Sequence, residues 1–150
     1  ASNRAEGAGG GGVFATQGGR VELTNVTFSD NSGEHGSAVL SGRGGFGGHV
    51  VARNCLFAKD QRGLAIAVHG PGVADVDHSV VAQIAEMVSD GVLLGSKTVE
   101  REVPLMTDGV RYKPMFSGQL RDLGDRSLLA DVPLDVYGKE WESVILGAVA

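Results

Sequence analysis

The 150-residue chain is long enough for one domain with a sizeable core, and its hydrophobic fraction of 42% is ordinary for a globular protein. A net charge of -5 with no Lys/Arg cluster excludes the usual nucleic-acid binder, and a lone cysteine, Cys55, excludes an internal disulfide framework or a CxxC metal site. No apolar run reaches the roughly 18 residues that cross a bilayer. Glycine is the unusual quantity. There are 24 glycines against 4 prolines, spread between short apolar runs, which predicts many tight turns. With aromatics at only 5%, the expected core is thin and built from rows of Val, Leu, Ile and Ala.

The first element is a glycine run, residues 7–12, leading into Val13-Phe14. It lacks the Lys-Ser/Thr and the strand-to-helix context of a phosphate loop. From there the chain repeats. Gly18-Gly19-Arg20-Val21-Glu22-Leu23-Thr24-Asn25-Val26-Thr27-Phe28 superposes on Gly47-Gly48-His49-Val50-Val51-Ala52-Arg53-Asn54-Cys55-Leu56-Phe57, an offset of 29 residues (54 − 25). A weaker copy runs from Gly70 to Val81, with His78 in the asparagine position, an offset of 24 (78 − 54). Upstream, Val13-Phe14, Ala38-Val39 and Ile66-Ala67 form a further apolar row. A four-residue insertion then falls in the second copy, within the glycine-rich residues 42–48.

A unit of this size fits three strands of about four residues with three turns, each strand alternating with period two. One such unit cannot enclose a core, but stacked units can, because equivalent strands hydrogen-bond about 4.8 Å apart and like residues fall on like. The predicted inward rows are Val21/Val50/Ala74, Leu23/Ala52/Val76, Val26/Cys55/Ser79 and Phe28/Phe57/Val81. Asn25 and Asn54 then occupy turns between sheets, where asparagine tolerates the left-handed conformation and its amide can bond backbone groups or its neighbour. Asn25-Val26-Thr27 matches a glycosylation sequon, but a stacked turn gives poor access to it.

Residues 87–105 break the repeat, and Lys97–Val103 alternates like a strand of an irregular terminal coil. Beyond Pro114 the expectation is an extended run that covers the open end, sealed by Trp141 and Val144-Ile145-Leu146. Covering that end matters because bare strand edges and apolar rows template aggregation.

Gly10-Gly11-Gly12-Val13-Phe14 followed by Val21 to Asn31 resembles the "GG-aliphatic" and "FxxN" repeats of right-handed parallel β-helix proteins, which include polymorphic outer-membrane adhesins and the pectate-lyase-like group. The tail Ser127 to Lys139, with Ile145-Leu146-Gly147-Ala148, is similar to the "SPaidaGv…DfyGrpRp…DIGAyE" ending of secreted bacterial members. It departs from them in having Ile145-Leu146 before Gly147 and Lys139-Glu140-Trp141 after the Tyr-Gly. The resemblance implies an all-β, right-handed parallel β-helix of about three to four coils with an irregular C-terminal capping segment. The coils would span residues 1–86, with the terminal coil and cap of the same domain over 87–150. It further implies a secreted or cell-surface protein, here the C-terminal portion of a longer one.

The fold hosts lyases, glycosidases and non-catalytic adhesins alike, so function has to be read from the surface. Positions between the inward rows place Glu22, Thr24, Val51, Arg53, Asp75 and Asp77 on one exposed strip. Polysaccharide lyases of this fold use such a strip, with carboxylates holding a hard cation such as calcium and a basic side chain removing a proton. On that implication Arg53 is the catalytic candidate, and Glu22, Asp75 and Asp77 are the ligand-binding ones. An ion-pair ladder that fixes register is the commoner use of such residues, since two carboxylates and an arginine occur on many exposed sheets. His35, His49, His69 and His78 lack the spacing of a zinc site, so no resident metal ligands are assigned. Two readings therefore stand. One is a module that binds or processes polysaccharide, lyase- or glycosidase-like if an enzyme. The other is a structural or adhesive protein that self-associates through its uncapped end. Neither involves nucleic acid or a membrane span.

Overall fold

Short apolar-polar alternations separated by glycine turns give short strands. The computed structural model of the chain describes residues 3–6, 9–59, 63–107, 112–114, 124–125 and 127. The elements are β1 (Arg4–Ala5), β2 (Val13–Ala15), β3 (Arg20–Thr24), β4 (Thr27–Phe28), β5 (Ser32–Gly33), β6 (Val39–Ser41), β7 (His49–Arg53) and β8 (Leu56–Phe57). There follow β9 (Ile66–Val68), β10 (Val73–Asp77), β11 (Val80–Val81), the one-turn helix α1 (Ile84–Met87), β12 (Val92–Leu94), β13 (Val99–Glu100), β14 (Leu105–Thr107) and β15 (Tyr112–Pro114). The protein is all-β, and its longest sheets are parallel.

Strand order shows how the chain travels. It enters three parallel sheets in rotation, β2-β6-β9, then β3-β7-β10-β12, then β4-β8-β11-β13, adding one strand to each on every circuit. Val88 extends the first sheet by a bridge to Ile66. Two smaller pairings accompany these sheets, β1 parallel to β5 and β14 antiparallel to β15.

Three of the four predicted inward rows form in the strand pairings. Val21, Val50 and Ala74 stack, as do Leu23, Ala52 and Val76, and Phe28, Phe57 and Val81. The Phe28 and Phe57 rings lie parallel, with centroids 5.0 Å apart. Val50, Ala52, Cys55 and Phe57 in the second circuit are essentially inaccessible, as are Ile66, Ala74, Val76 and Val81 in the third. In the first circuit Val13, Val21, Leu23 and Val26 are only half-buried, because they have stacking neighbours on one side.

Two expectations need correction. The first-sheet row is Val13/Val39/Ile66, so Val39 and not Ala38 stacks on Val13. Ala15 pairs with Ser41 and Arg20 with His49, so the connection over 42–48 exceeds that over 16–19 by three residues rather than four. Residues 87–105 are also more regular than their sequence suggests. Val92 and Leu94 stack on Ala74 and Val76, and Val99 on Val80, which continues the second and third sheets into a fourth circuit. Strand character around residue 99 is confined to Val99–Glu100, and residues 101–104 carry none. The tail motif and the sealing residues Trp141 and 144–146 lie outside the described residues.

Glycine is required where sheets meet at the corner before β7 and β10. A Cβ on Gly48 would sit 2.2 Å from the Ala15 carbonyl oxygen, and one on Gly72 equally close to that of Ser41. The next corner is the asparagine turn. Asn25, Asn54 and His78 all have left-handed backbones, with φ of 59°, 55° and 46°. The two asparagines differ in their partners. Asn54 Nδ2 donates to the Asp125 carbonyl at 2.9 Å, and Asn54 Oδ1 accepts the Asp125 amide at 2.7 Å. The Asn25 backbone amide donates to the Arg53 carbonyl at 3.1 Å, but its side chain bonds neither Asn54 nor any other described residue, although both of its polar atoms are buried.

Two predictions follow from burial and bonding. Val50→Asp places a charge in the filled second circuit and should abolish cooperative unfolding, whereas Leu23→Asp, at the half-open first circuit, should lower the melting temperature but leave a folded protein. Asn54→Gly keeps the turn but loses two hydrogen bonds, and should cost about 1–3 kcal/mol in denaturant titration. Asn25→Gly removes a buried amide that has no partner and should raise stability, by up to about 1–3 kcal/mol in the same titration.

Candidate functional site

The exposed face of the β3-β7-β10-β12 sheet carries the strip. Parallel register makes columns across it: Arg20, His49 and Val73; Glu22, Val51, Asp75 and Leu93; Thr24, Arg53 and Asp77. The four predicted site residues therefore do share one face, but they do not act as one cluster.

Arg53 is the most tightly held. Its Nη2 lies 2.9 Å from Asp75 Oδ2, and its Nη1 donates to the backbone carbonyls of Ala52 and Asp75, each at 3.0 Å. The pair is partly shielded, with the Arg53 side chain 25% exposed and Asp75 36%. Such an ion pair contributes at most about 1 kcal/mol, yet it fixes the guanidinium against the sheet. Glu22 turns away from Arg53. It accepts from Arg20 Nε and Nη2, both at 2.9 Å, and Arg20 Nη1 lies 2.7 Å from His49 Nδ1. Arg20 was not among the sequence candidates, although its place two residues before Glu22 on the same strand face was a usable signal.

Asp77 is committed to the backbone. Its Oδ1 accepts the amides of His78 at 2.9 Å and Lys97 at 3.1 Å, so it ties the third asparagine-type turn to the start of the next connection. Burial works to raise its pKa, but those two amides, with the charges of His78 and Arg53, outweigh burial and hold the carboxyl below its ordinary value. Asp125, beside Asn54, is likewise held low, first by the Ser127 hydroxyl and then by the Ser127 amide.

The single cysteine is not a reactive thiol. Burial pushes the Cys55 thiol up to about 12, so it stays protonated and inert. Among the described residues no group of three or more His, Cys, Asp or Glu side chains is placed to hold a metal ion. His69 follows β9 and packs its ring against that of His35, with centroids 5.0 Å apart. Among the described residues no helix is long and apolar enough to cross a membrane. A second surface feature lies at the corner before β3 and β7. There Phe14, Thr16, Gln17 and residues 43–46 line a groove of about 450 Å³.

Comparison with protein-family models, with curated proteins and with solved structures returns no match.

The lowered pKa of Asp77 gives a testable pH dependence. Its stabilising contribution is present above the unfolded carboxyl value, near about 3.9, and is lost as pH falls through the lower folded value. Stability measured from pH 5 down to pH 2.5 should therefore fall less steeply in Asp77→Asn than in the wild type, with the two curves parallel above pH 5.

Proposed function

We propose that the rotating circuits wind as a right-handed parallel β-helix, and that the protein is an extracellular module that binds an acidic polysaccharide along the exposed face of its four-stranded sheet. The observation that carries this reading is that Arg20, His49 and Arg53 share one face of a sheet whose neighbouring strands repeat at about 4.8 Å, Arg20 beside His49 and Arg53 at the other end of β7, with each arginine held by a carboxylate. An extended sugar chain has a comparable linear repeat of acidic and hydroxyl groups, and fixed donors meet it without first being ordered. Glu22 holds Arg20 and Asp75 holds Arg53, and these carboxylates with Asp77 are also the groups that would bind a calcium ion brought in with the polymer. The engagement of Arg53 with Asp75 and two carbonyls favours binding over proton abstraction, since a general base needs a free lone pair that a paired guanidinium lacks.

A second reading, of a structural or adhesive protein that stacks on another chain, has its own support. The buried Asn25 side-chain amide without partners, the half-buried first-circuit row and the outer edge of β3, unpaired among the described residues, all lie on one end of the sheets. A further strand layer there would supply hydrogen bonds and cover apolar surface.

Binding of galacturonate oligomers, with and without calcium, separates the two. Arg53→Ala should weaken binding about tenfold or more, which corresponds to about 1.4 kcal/mol, while His69→Ala should stay within about twofold of wild type. Absence of binding, together with concentration-dependent self-association in sedimentation, would instead select the stacking reading.

A further inference from the structure

The groove at the corner before β3 and β7 is built by a departure from the repeat. The connection from Ser41 to His49 carries three residues more than its counterpart in the first circuit, and they form a closed hairpin. Arg43 and Phe46 exchange both backbone hydrogen bonds, 2.9 and 3.0 Å, across Gly44-Gly45, with Gly44 in the left-handed region at φ 58°. Such a two-residue turn is stiff, and it presents the side chains of its paired residues from fixed points. Nothing crowds the tip, since a Cβ built on Gly44 or Gly45 would meet no atom within 4 Å.

What the hairpin presents is costly to leave in water. Phe46 is 60% exposed and Phe14, on β2 across the groove, 37%. Both rings therefore offer free apolar faces to a shared cleft of about 450 Å³. The Arg43 side chain, on the same wall, makes no hydrogen bond or ion pair among the described residues, its backbone alone being bonded, to Phe46. This contrasts with Arg4, Arg20 and Arg53, each of which is paired to a carboxylate. A protein of net charge -5 has acids to spare for every arginine, so an unpaired guanidinium beside two bare aromatic rings leaves an electrostatic vacancy of one sign.

We propose that this groove is a binding subsite for a single acidic sugar unit. Its C–H face would lie on Phe46 and Phe14, and its carboxylate would meet Arg43. Sugar C–H groups carry slight positive charge and pack on the negative face of an aromatic ring. A planar carboxylate matches the fork of a guanidinium and takes two parallel N–H bonds. Thr16 and Gln17, on the first-circuit side of the groove, add hydroxyl and amide groups suited to sugar hydroxyls. A neutral sugar would leave Arg43 unanswered, and a small inorganic anion would leave the rings bare. The inference rests on the polysaccharide reading and places a second contact beyond the His49 end of β7, with Arg53 at the other end of that strand, which is about 13 Å long.

The test titrates galacturonate oligomers and neutral galactose oligomers into the wild type and into Arg43→Ala, Arg43→Lys, Phe46→Ala and Arg53→Ala, by calorimetry and by amide chemical shifts of Gly44 and Gly45. Expected are about tenfold or greater weakening for acidic oligomers in Arg43→Ala and in Phe46→Ala, partial retention in Arg43→Lys, and shifts at Gly44 and Gly45 in the wild type. Melting temperatures should be unchanged in both hairpin variants, because neither side chain is buried. Acidic binding that is lost in Arg53→Ala but unaltered in Arg43→Ala and Phe46→Ala would overturn the subsite and leave the polysaccharide reading standing. Binding that depends on Phe46 but not Arg43, or that is equal for neutral oligomers, would overturn the assignment of an acidic ligand. No binding of either oligomer to the wild type would overturn the subsite and the polysaccharide reading together.

Discussion

Everything in this molecule depends on like residues stacking in register between successive parallel strands. Val21, Val50 and Ala74 are hydrogen-bonded neighbours in adjacent circuits, and so are Phe28, Phe57 and Val81. Because side chains alternate strictly along a strand, a slip of one residue would turn every inward valine out and bring Glu22, Arg53 or Asp77 into the core. The corners hold that register. Gly48 and Gly72 allow backbones to approach to distances no Cβ permits, and the left-handed residues Asn25, Asn54 and His78 turn the chain from the second sheet into the third.

The same constraint limits where chemistry can sit. The described interior is filled with apolar side chains such as Phe57, Ile66 and Val76, a few buried serines and asparagines and an inert thiol, so ligand recognition belongs to the outward positions and the connections. Outward positions on the strands are spoken for by neighbours: Arg53 by Asp75, Glu22 by Arg20, Asp77 by two amides. Connections are freer because adding residues to a corner leaves the stacked strands undisturbed. The Arg43–Phe46 hairpin shows this, since β6 and β7 keep full pairing on both sides of it.

Asn54 and Asn25 show how one position acquires different energetics. Both adopt the same turn, but the chain near Asp125 returns to clasp the Asn54 amide, while the Asn25 amide is buried without a partner. An unsatisfied buried amide is a local cost that a further layer on the first circuit would relieve, and this keeps the stacking reading alongside the binding one.

The sequence alone determined the inward rows, the asparagine-type turns and the shared face of Glu22, Arg53, Asp75 and Asp77. These follow from period-two alternation and a repeat offset, both of which are local and countable. It misjudged the length of the second connection and the pairing of Val39, because apolar neighbours such as Ala38 and Val39 fit a row equally well until hydrogen bonds choose between them. It placed a terminal coil after residue 87 but read it as irregular, because Val92, Leu94 and Val99 stack there without a glycine-asparagine frame to mark them. Only the tertiary structure decided which charges pair with which. Side chains of Arg, Glu and Asp reach several neighbours at similar distances, so the choice of Arg20 for Glu22, of Asp75 for Arg53, and of none for Arg43 depends on strand spacing, side-chain rotamers and the course of the corners. None of these is written in the order of residues.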